Sequence, residues 1–182
     1  QASSALSASS IRQQFSTPIN IALSQASLEM MRPRLDELSF VEAGYLYLAS
    51  AAGAATLERL NAVQRAAGAD IRLLAPREMT ARWPWLSLDG IALGSWGARG
   101  EGWFDGPALH QAFRGKARAC GAVFVQADVT GFDCAGDRVC AALASDGRRF
   151  DADALVLCAG AWSAPLAAAL GLALPVSPRK RD

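Results

Sequence analysis

The run Ala154-Leu-Val-Leu-Cys-Ala-Gly-Ala-Trp-Ser163 decides how this chain is read. Its first five residues are apolar without interruption, the pattern of a strand covered on both faces. Ala159, Gly160 and Ala161 then break the run, and a helix is expected to begin near Trp162. Such an order puts a small-residue turn at the carboxyl end of a buried strand, the edge at which open α/β sheets bind ligands. Glycine at that point has no Cβ, so backbone can approach a bound group closely. Spacing alone fits a generic strand-turn-helix as well. Cys158, inside the apolar run, reads as a buried free thiol.

Upstream of this run the pattern is regular. Residues 129–135 and 138–144 read as a hairpin turning at Gly136-Asp137, and Ser145-Asp-Gly-Arg148 is a second turn of the Asp-Gly type. Residues 122–126 read as a strand. Residues 107–119 form a helix with Leu109, Ala112, Phe113 and Ala117 on one face and Gly121 as its stop. Strands are expected at residues 91–96, 71–74 and 44–48, where aromatic and aliphatic residues favour extended backbone. A helix over residues 55–67 turns Leu57, Leu60 and Val63 inward and stops at Gly68. Pro76 opens a brief helix that ends before Pro84. A further helix starts near Thr17, with Pro18 in its first turn and Ile21, Leu28, Met31 and Leu35 at helical spacing, until Pro33 disturbs it. Residues 1–10 read as a loop or frayed end. The sum is an α/β class with α+β mixing.

Composition narrows the function classes. The chain has 182 residues, 52% of them apolar, and can bury a core. Its formal net charge of +1 argues against a nucleic-acid footprint, and its one dense basic run is the short Arg179-Lys180-Arg181. Every hydrophobic run is broken too early for a membrane span. Cys120, Cys134, Cys140 and Cys158 form no CxxC pair and have no zinc-like spacing, and carboxylates are scattered singly, so no metal site is expected. No disulfide pairing is expected of these cysteines, and a reducing, cytoplasmic setting is the default expectation. His110, the single histidine, has no nucleophile elbow near it, and Trp96 is a candidate pocket lining.

Four segments, in order, resemble the D-amino-acid-oxidase-like family of FAD-dependent oxidoreductases, which includes the sarcosine oxidases. Ala159-Gly-Ala-Trp-Ser163 after its apolar strand is similar to the late FAD-contacting motif. Gly102, Trp103, Asp105 and Pro107 resemble the Gly-Trp-x-Asp-Pro entry into a helix, with Gly106 as one extra glycine. Ser9-Ser-Ile-Arg-Gln-Gln-Phe-Ser16 resembles the segment that passes the flavin ring. Leu174-Pro-Val-Ser-Pro-Arg179 resembles the strand leading from the FAD domain back to the substrate domain.

The resemblance implies a partial FAD-binding domain plus part of a sheet-based substrate domain. It assigns residues 1–37 to the flavin-edge loop and helix, 38–101 to the substrate domain, 102–173 to the FAD domain and 174–182 to the returning strand. It implies that Ser10, Ile11, Arg12, Val129, Ala159, Gly160, Ala161 and Trp162 line the FAD site, with Arg12 also anchoring a substrate carboxylate. Bidentate geometry suits arginine to that role. The implied reaction is oxidation of a small amine or amino acid, of the sarcosine, glycine or D-amino-acid kind, by hydride transfer to flavin. Two rivals stand beside it: a glycerol-3-phosphate-dehydrogenase-like enzyme with a quinone or protein acceptor, and a non-catalytic assembly factor that keeps the fold.

The GxGxxG loop of the family is absent, and Gly97-Ala-Arg-Gly-Glu-Gly102 has the wrong spacing to replace it. The resemblance therefore implies an internal fragment that does not hold FAD tightly by itself. Sheet edges left uncovered are expected to favour self-association.

Overall fold

The computed structural model describes residues 7–177, which fall into two compact units divided after Lys116. In the first unit, β1 (Ser10–Ile11) is followed by α1 (Pro18–Met31) and a 3-10 turn at Arg32–Arg34, where Pro33 ends regular helix. Then come β2 (Tyr45–Ala49), α2 (Ala51–Ala66), β3 (Ile71–Leu74), α3 (Pro76–Arg82), β4 (Leu93–Gly97), β5 (Gly102–Trp103) and α4 (Gly106–Ala119). The strands β2, β4 and β3 form one antiparallel sheet in that order, with β4 central. The short strands β1 and β5 pair antiparallel, Ser10 opposite Trp103 and Ile11 opposite Gly102.

Two apolar clusters hold this unit, and α1 reaches both. Its Ile21 packs with Ala69 and Ile71, against Phe15 and Val63. Its Leu28 and Met31 pack with Ile11 and Leu38, against Phe40, Phe104 and Leu109. Asp105 caps α4: its carboxylate accepts the Ala108 N–H at 2.9 Å. The extra Gly106 is thus accommodated as the first helical residue. No residue of α4 is fully buried. Leu109, Ala112 and Phe113 line an open apolar cleft of about 330 Å³ with Met30, Met31 and Leu38.

The second unit carries β6 (Val129–Ala135), β7 (Arg138–Ala144) and β8 (Arg149–Asp151), an antiparallel meander. The hairpin turns at Gly136, whose φ is +62°, and Asp137, as its turn chemistry predicts. A 3-10 turn at Gly160–Trp162 leads into α5 (Ser163–Ala168). The four cysteines are free thiols.

The mixed α/β class forms as expected, and every strand pair among the described residues is antiparallel. Three expected strands do not form. Residues 122–126 and 154–158 carry no strand pairing, and Val123 and Val156 are 84% and 83% exposed. Cys158 is exposed, not buried. An apolar run is a strand only when a neighbour takes its backbone hydrogen bonds, and among the described residues none pairs with either segment. Residues 174–177 likewise form no strand, and 178–182 lie outside the described residues. On α2, Leu57, Leu60 and Val63 are only half-buried, while Asn61 and Gln64 are the buried positions. Their amides carry the reason: Asn61 Nδ2 donates to the Ile71 carbonyl at 3.0 Å and Gln64 Nε2 to that of Phe15 at 3.4 Å. Helix α2 also starts four residues earlier than its apolar spacing suggests, and residue 10, read as loop, opens β1.

Candidate functional site

The segment Ser10-Ile11-Arg12-Gln13-Gln14-Phe15 leaves β1 and crosses the first unit before α1 begins. Ile11 points into the core, which fixes the strand end. The next residue, Arg12, is half-buried. Its guanidinium carbon lies 5.1 Å from the centroid of the Phe15 ring. The Ser24 hydroxyl of α1 donates to the Arg12 carbonyl, tying this backbone to the helix. Arg12 Nε is buried and donates to nothing. Arginine offers a fork of donors, and a buried one left without an acceptor costs free energy. An anion brought to this edge would receive it.

Directly behind the segment sits Glu101, a fully buried carboxylate between Gly100 and Gly102. One of its oxygens accepts the Gln13 N–H at 2.5 Å and the Gln14 N–H at 3.1 Å. The other accepts Gln14 Nε2 at 2.9 Å. Gln14 also donates to the Tyr45 carbonyl at 3.1 Å and accepts the Ser95 hydroxyl at 2.7 Å. Gln13 donates to the Gly100 carbonyl at 3.3 Å and accepts Gln25 Nε2 at 3.1 Å. Strand β4, the approach to β5 and helix α1 therefore converge on the two residues that follow Arg12.

Burial pushes the Glu101 carboxyl above the usual glutamate range; the N–H donors of Gln13 and Gln14 and the charge of Arg12 oppose that shift without cancelling it. The folded value lies above the unfolded one, so this group's stabilising contribution is full below the ordinary glutamate pKa. It is lost as pH rises through the folded value. The thermal midpoint of the wild-type chain is therefore expected to fall relative to Glu101→Gln as pH rises from about 4. A gap between the two midpoints that stays constant with pH would show that this carboxyl titrates as an ordinary glutamate.

The second unit holds the other expected positions. Val129 is half-buried at the start of β6, opposite Ala144, and the ladder slips between Val129 and Gly131. Ala159 to Trp162 form the turn before α5, and Gly160 has φ +57°, a conformation that favours glycine. A Cβ built on Gly160 would meet nothing within 4 Å, so this face of the turn is open. The Trp162 side chain is 67% exposed. An open glycine turn is a shape that fits a closely approaching cofactor. Ser10, Ile11 and Arg12 are thus contiguous in the first unit, and Ala159 to Trp162 in the second.

The polar hub around Glu101 was not legible as a site. Its local signal was a charged residue between two glycines, in a stretch read only as a failed phosphate loop. Its glycines have a packing role instead: side chains at 97, 100 and 102 would collide with Glu101, with Gln13 and with the Val41 carbonyl respectively. Trp96 stands edge-on to Trp83 at 5.7 Å with the Arg82 guanidinium 3.8 Å from its ring centroid, and both tryptophans line a cleft of about 270 Å³. The single histidine, His110, is exposed on α4. Among the described residues no group of His, Cys, Asp or Glu could hold a metal ion, and no helix is long and apolar enough to cross a membrane.

The family model described as FAD dependent oxidoreductase (DAO) matches residues 1–182. The chain belongs to this family of FAD-dependent oxidoreductases. Among curated relatives, FAD-dependent oxidoreductase domain-containing protein 1 of Bos taurus is 35% identical over 221 residues, covering 100% of this chain. The chain spans 45% of that protein's length. Two solved structures of the family's fold match closely. L-proline dehydrogenase from P. horikoshii gives a TM-score of 0.81 at 26% identity, over 89% of this chain and 44% of its own. Glycine oxidase from Geobacillus kaustophilus gives 0.80 at 26% identity, over 96% of this chain and 50% of its own. In this DAO-family chain the turn at Gly160 is open, and the Arg12 Nε–H is buried without an acceptor.

Proposed function

We propose that the protein containing this chain oxidises a small amino acid or N-substituted amino acid, with Arg12 holding the substrate carboxylate. The observation that carries this reading is the buried Arg12 Nε with no acceptor, on a segment held by Glu101. A fork of donors beside an aromatic ring suits a planar carboxylate. Glycine oxidase and L-proline dehydrogenase, by name, act on amino acids, and both share the fold. Bound FAD would supply the hydride acceptor for oxidation at the substrate carbon next to nitrogen. On this reading Ser10, Ile11 and Arg12 would lie at the flavin, Val129 would touch the adenine, and Ala159 to Trp162 would contact FAD. Residues 1–37 and 102–173 would then belong to the FAD domain, 38–101 to the substrate domain and 174–182 to a returning strand. Free thiols support a reducing, cytoplasmic compartment.

The test is turnover by the full-length, flavin-loaded protein. Flavin bleaching under anaerobic conditions is expected with glycine, sarcosine or proline-like substrates and not with glycerol 3-phosphate. Bleaching by the polyol phosphate alone would overturn the reading in favour of the phosphate branch. No flavin binding at all would favour a non-catalytic assembly role.

The uncovered apolar segments 122–126 and 154–158 support self-association of this chain. Light scattering is expected to show dimers or larger species whose population falls when Val123 and Val156 are both replaced by lysine. A monomeric wild type would end this expectation.

A further inference from the structure

We propose that Glu101 is a positioning residue for Arg12: its buried carboxylate sets the backbone that follows the arginine and so aims the guanidinium at the substrate carboxylate. The proposal rests on the reading of Arg12 given above.

Glu101 has the features of a built seat. It is fully buried, and the three hydrogen bonds that its carboxylate accepts all come from the two residues that follow Arg12. Room for it exists because Gly97 has no side chain; a Cβ there would enter the carboxylate. Its neighbour Gly100 adopts φ +70° and is held from two directions, donating to Glu42 at 2.7 Å and accepting from Gln13 at 3.3 Å. These contacts span 87 and 88 residues of sequence, so the loop bearing Arg12 is fixed from a distant element and not by its own turn preferences.

Acceptors on both oxygens are needed for this seat, not merely shape. A glutamine at 101 keeps one oxygen for the two backbone N–H groups. Its amide nitrogen would then face Gln14 Nε2, donor against donor. Gln14 cannot turn its amide over freely, because its oxygen already accepts the Ser95 hydroxyl and its nitrogen already donates to Tyr45. A neutral isostere therefore leaves the fold's volume intact while loosening residues 13 and 14. A segment that wanders by even an ångström loses much of the benefit of a preset donor fork.

The decisive experiment compares wild type, Glu101→Gln and Arg12→Leu in the flavin-loaded, full-length protein, using one amino acid and the matching amine that lacks the carboxylate. Glu101→Gln is expected to raise KM for the amino acid about tenfold with a smaller change in kcat, and to move KM for the carboxylate-free amine less than about threefold. A readout independent of flavin is the Arg12 Nε–H nitrogen-15 resonance titrated with acetate, whose shift should be clear in wild type and at least about threefold weaker in Glu101→Gln. Equal KM changes for both substrates, or an undiminished acetate response, would leave Glu101 a purely structural staple and overturn the proposal. Arg12→Leu separates the two readings. If it leaves the preference for the carboxylate substrate unchanged, both fall. If it abolishes that preference while Glu101→Gln does not alter it, only the positioning role falls. Should Glu101→Gln fail to fold, Ser95→Ala, which frees the Gln14 oxygen, is expected to give the same pattern at smaller size, and no pattern there counts against the proposal.

Discussion

Gly102→Ala is expected to destabilise the first unit by about 3 kcal/mol or more, lowering its thermal midpoint by roughly 10 °C or more. Gly102 is buried in β5, and a Cβ there would overlap the Val41 carbonyl oxygen, with the Val41 carbonyl carbon at 3.0 Å and Ala43 N at 3.2 Å. None of these atoms belongs to a flexible side chain. The Val41 carbonyl is pinned as well: it accepts the Trp103 N–H at 3.2 Å and the Ala43 N–H at 2.9 Å. Relief of the overlap must break one of those bonds or tear β5 from β1, and either moves the adjacent Glu101. Gly115→Ala is the matched control. It lies on α4 with nothing within 4 Å of its would-be Cβ, so alanine there should be neutral or add up to about 1 kcal/mol through helix propensity. Circular dichroism melts of the two variants would read the contrast directly. Similar midpoints for both would mean that residues 41–43 can move aside without cost.

The same contrast explains which parts of the structure were legible beforehand. The hairpin at Gly136-Asp137 was readable to the residue because its turn chemistry is local. So was the arrest of α1 at Pro33, which follows from a missing N–H. Residues 122–126 and 154–158 were misread because strand identity is not a local property; apolar segments need a neighbouring strand, and among the described residues no strand pairs with either. Asn61 and Gln64 escaped notice because helical periodicity weighs apolar residues, whereas these two are buried for their amide donors. The Glu101 hub escaped for a related reason. Hydrogen bonds between polar residues almost ninety positions apart leave no periodic trace, and flanking glycines invite a search for phosphate instead of a search for close packing. Arg12 was legible only through the wording around it, Ser-Ile-Arg-Gln-Gln-Phe-Ser, and not through any charge pattern.

Arg12 therefore carries the prediction with the largest effect on activity. In the flavin-loaded, full-length protein, Arg12→Leu is expected to raise KM for an amino-acid substrate about 100-fold, the loss of roughly 3 kcal/mol that a charge-assisted donor pair contributes. Leucine keeps apolar volume beside Phe15, so the packing that now surrounds the guanidinium stem is largely retained. Arg12→Lys should recover only part of the loss, because an ammonium supplies charge without the planar fork. The matching amine without a carboxylate should be handled by wild type and Arg12→Leu within about threefold of each other, since it presents nothing for the guanidinium to hold. That pair of substrates decides the point. A leucine variant that loses both to the same degree would place Arg12 in service of the flavin or the fold. A variant that loses the amino acid alone would tie the orphan Nε–H to the substrate carboxylate.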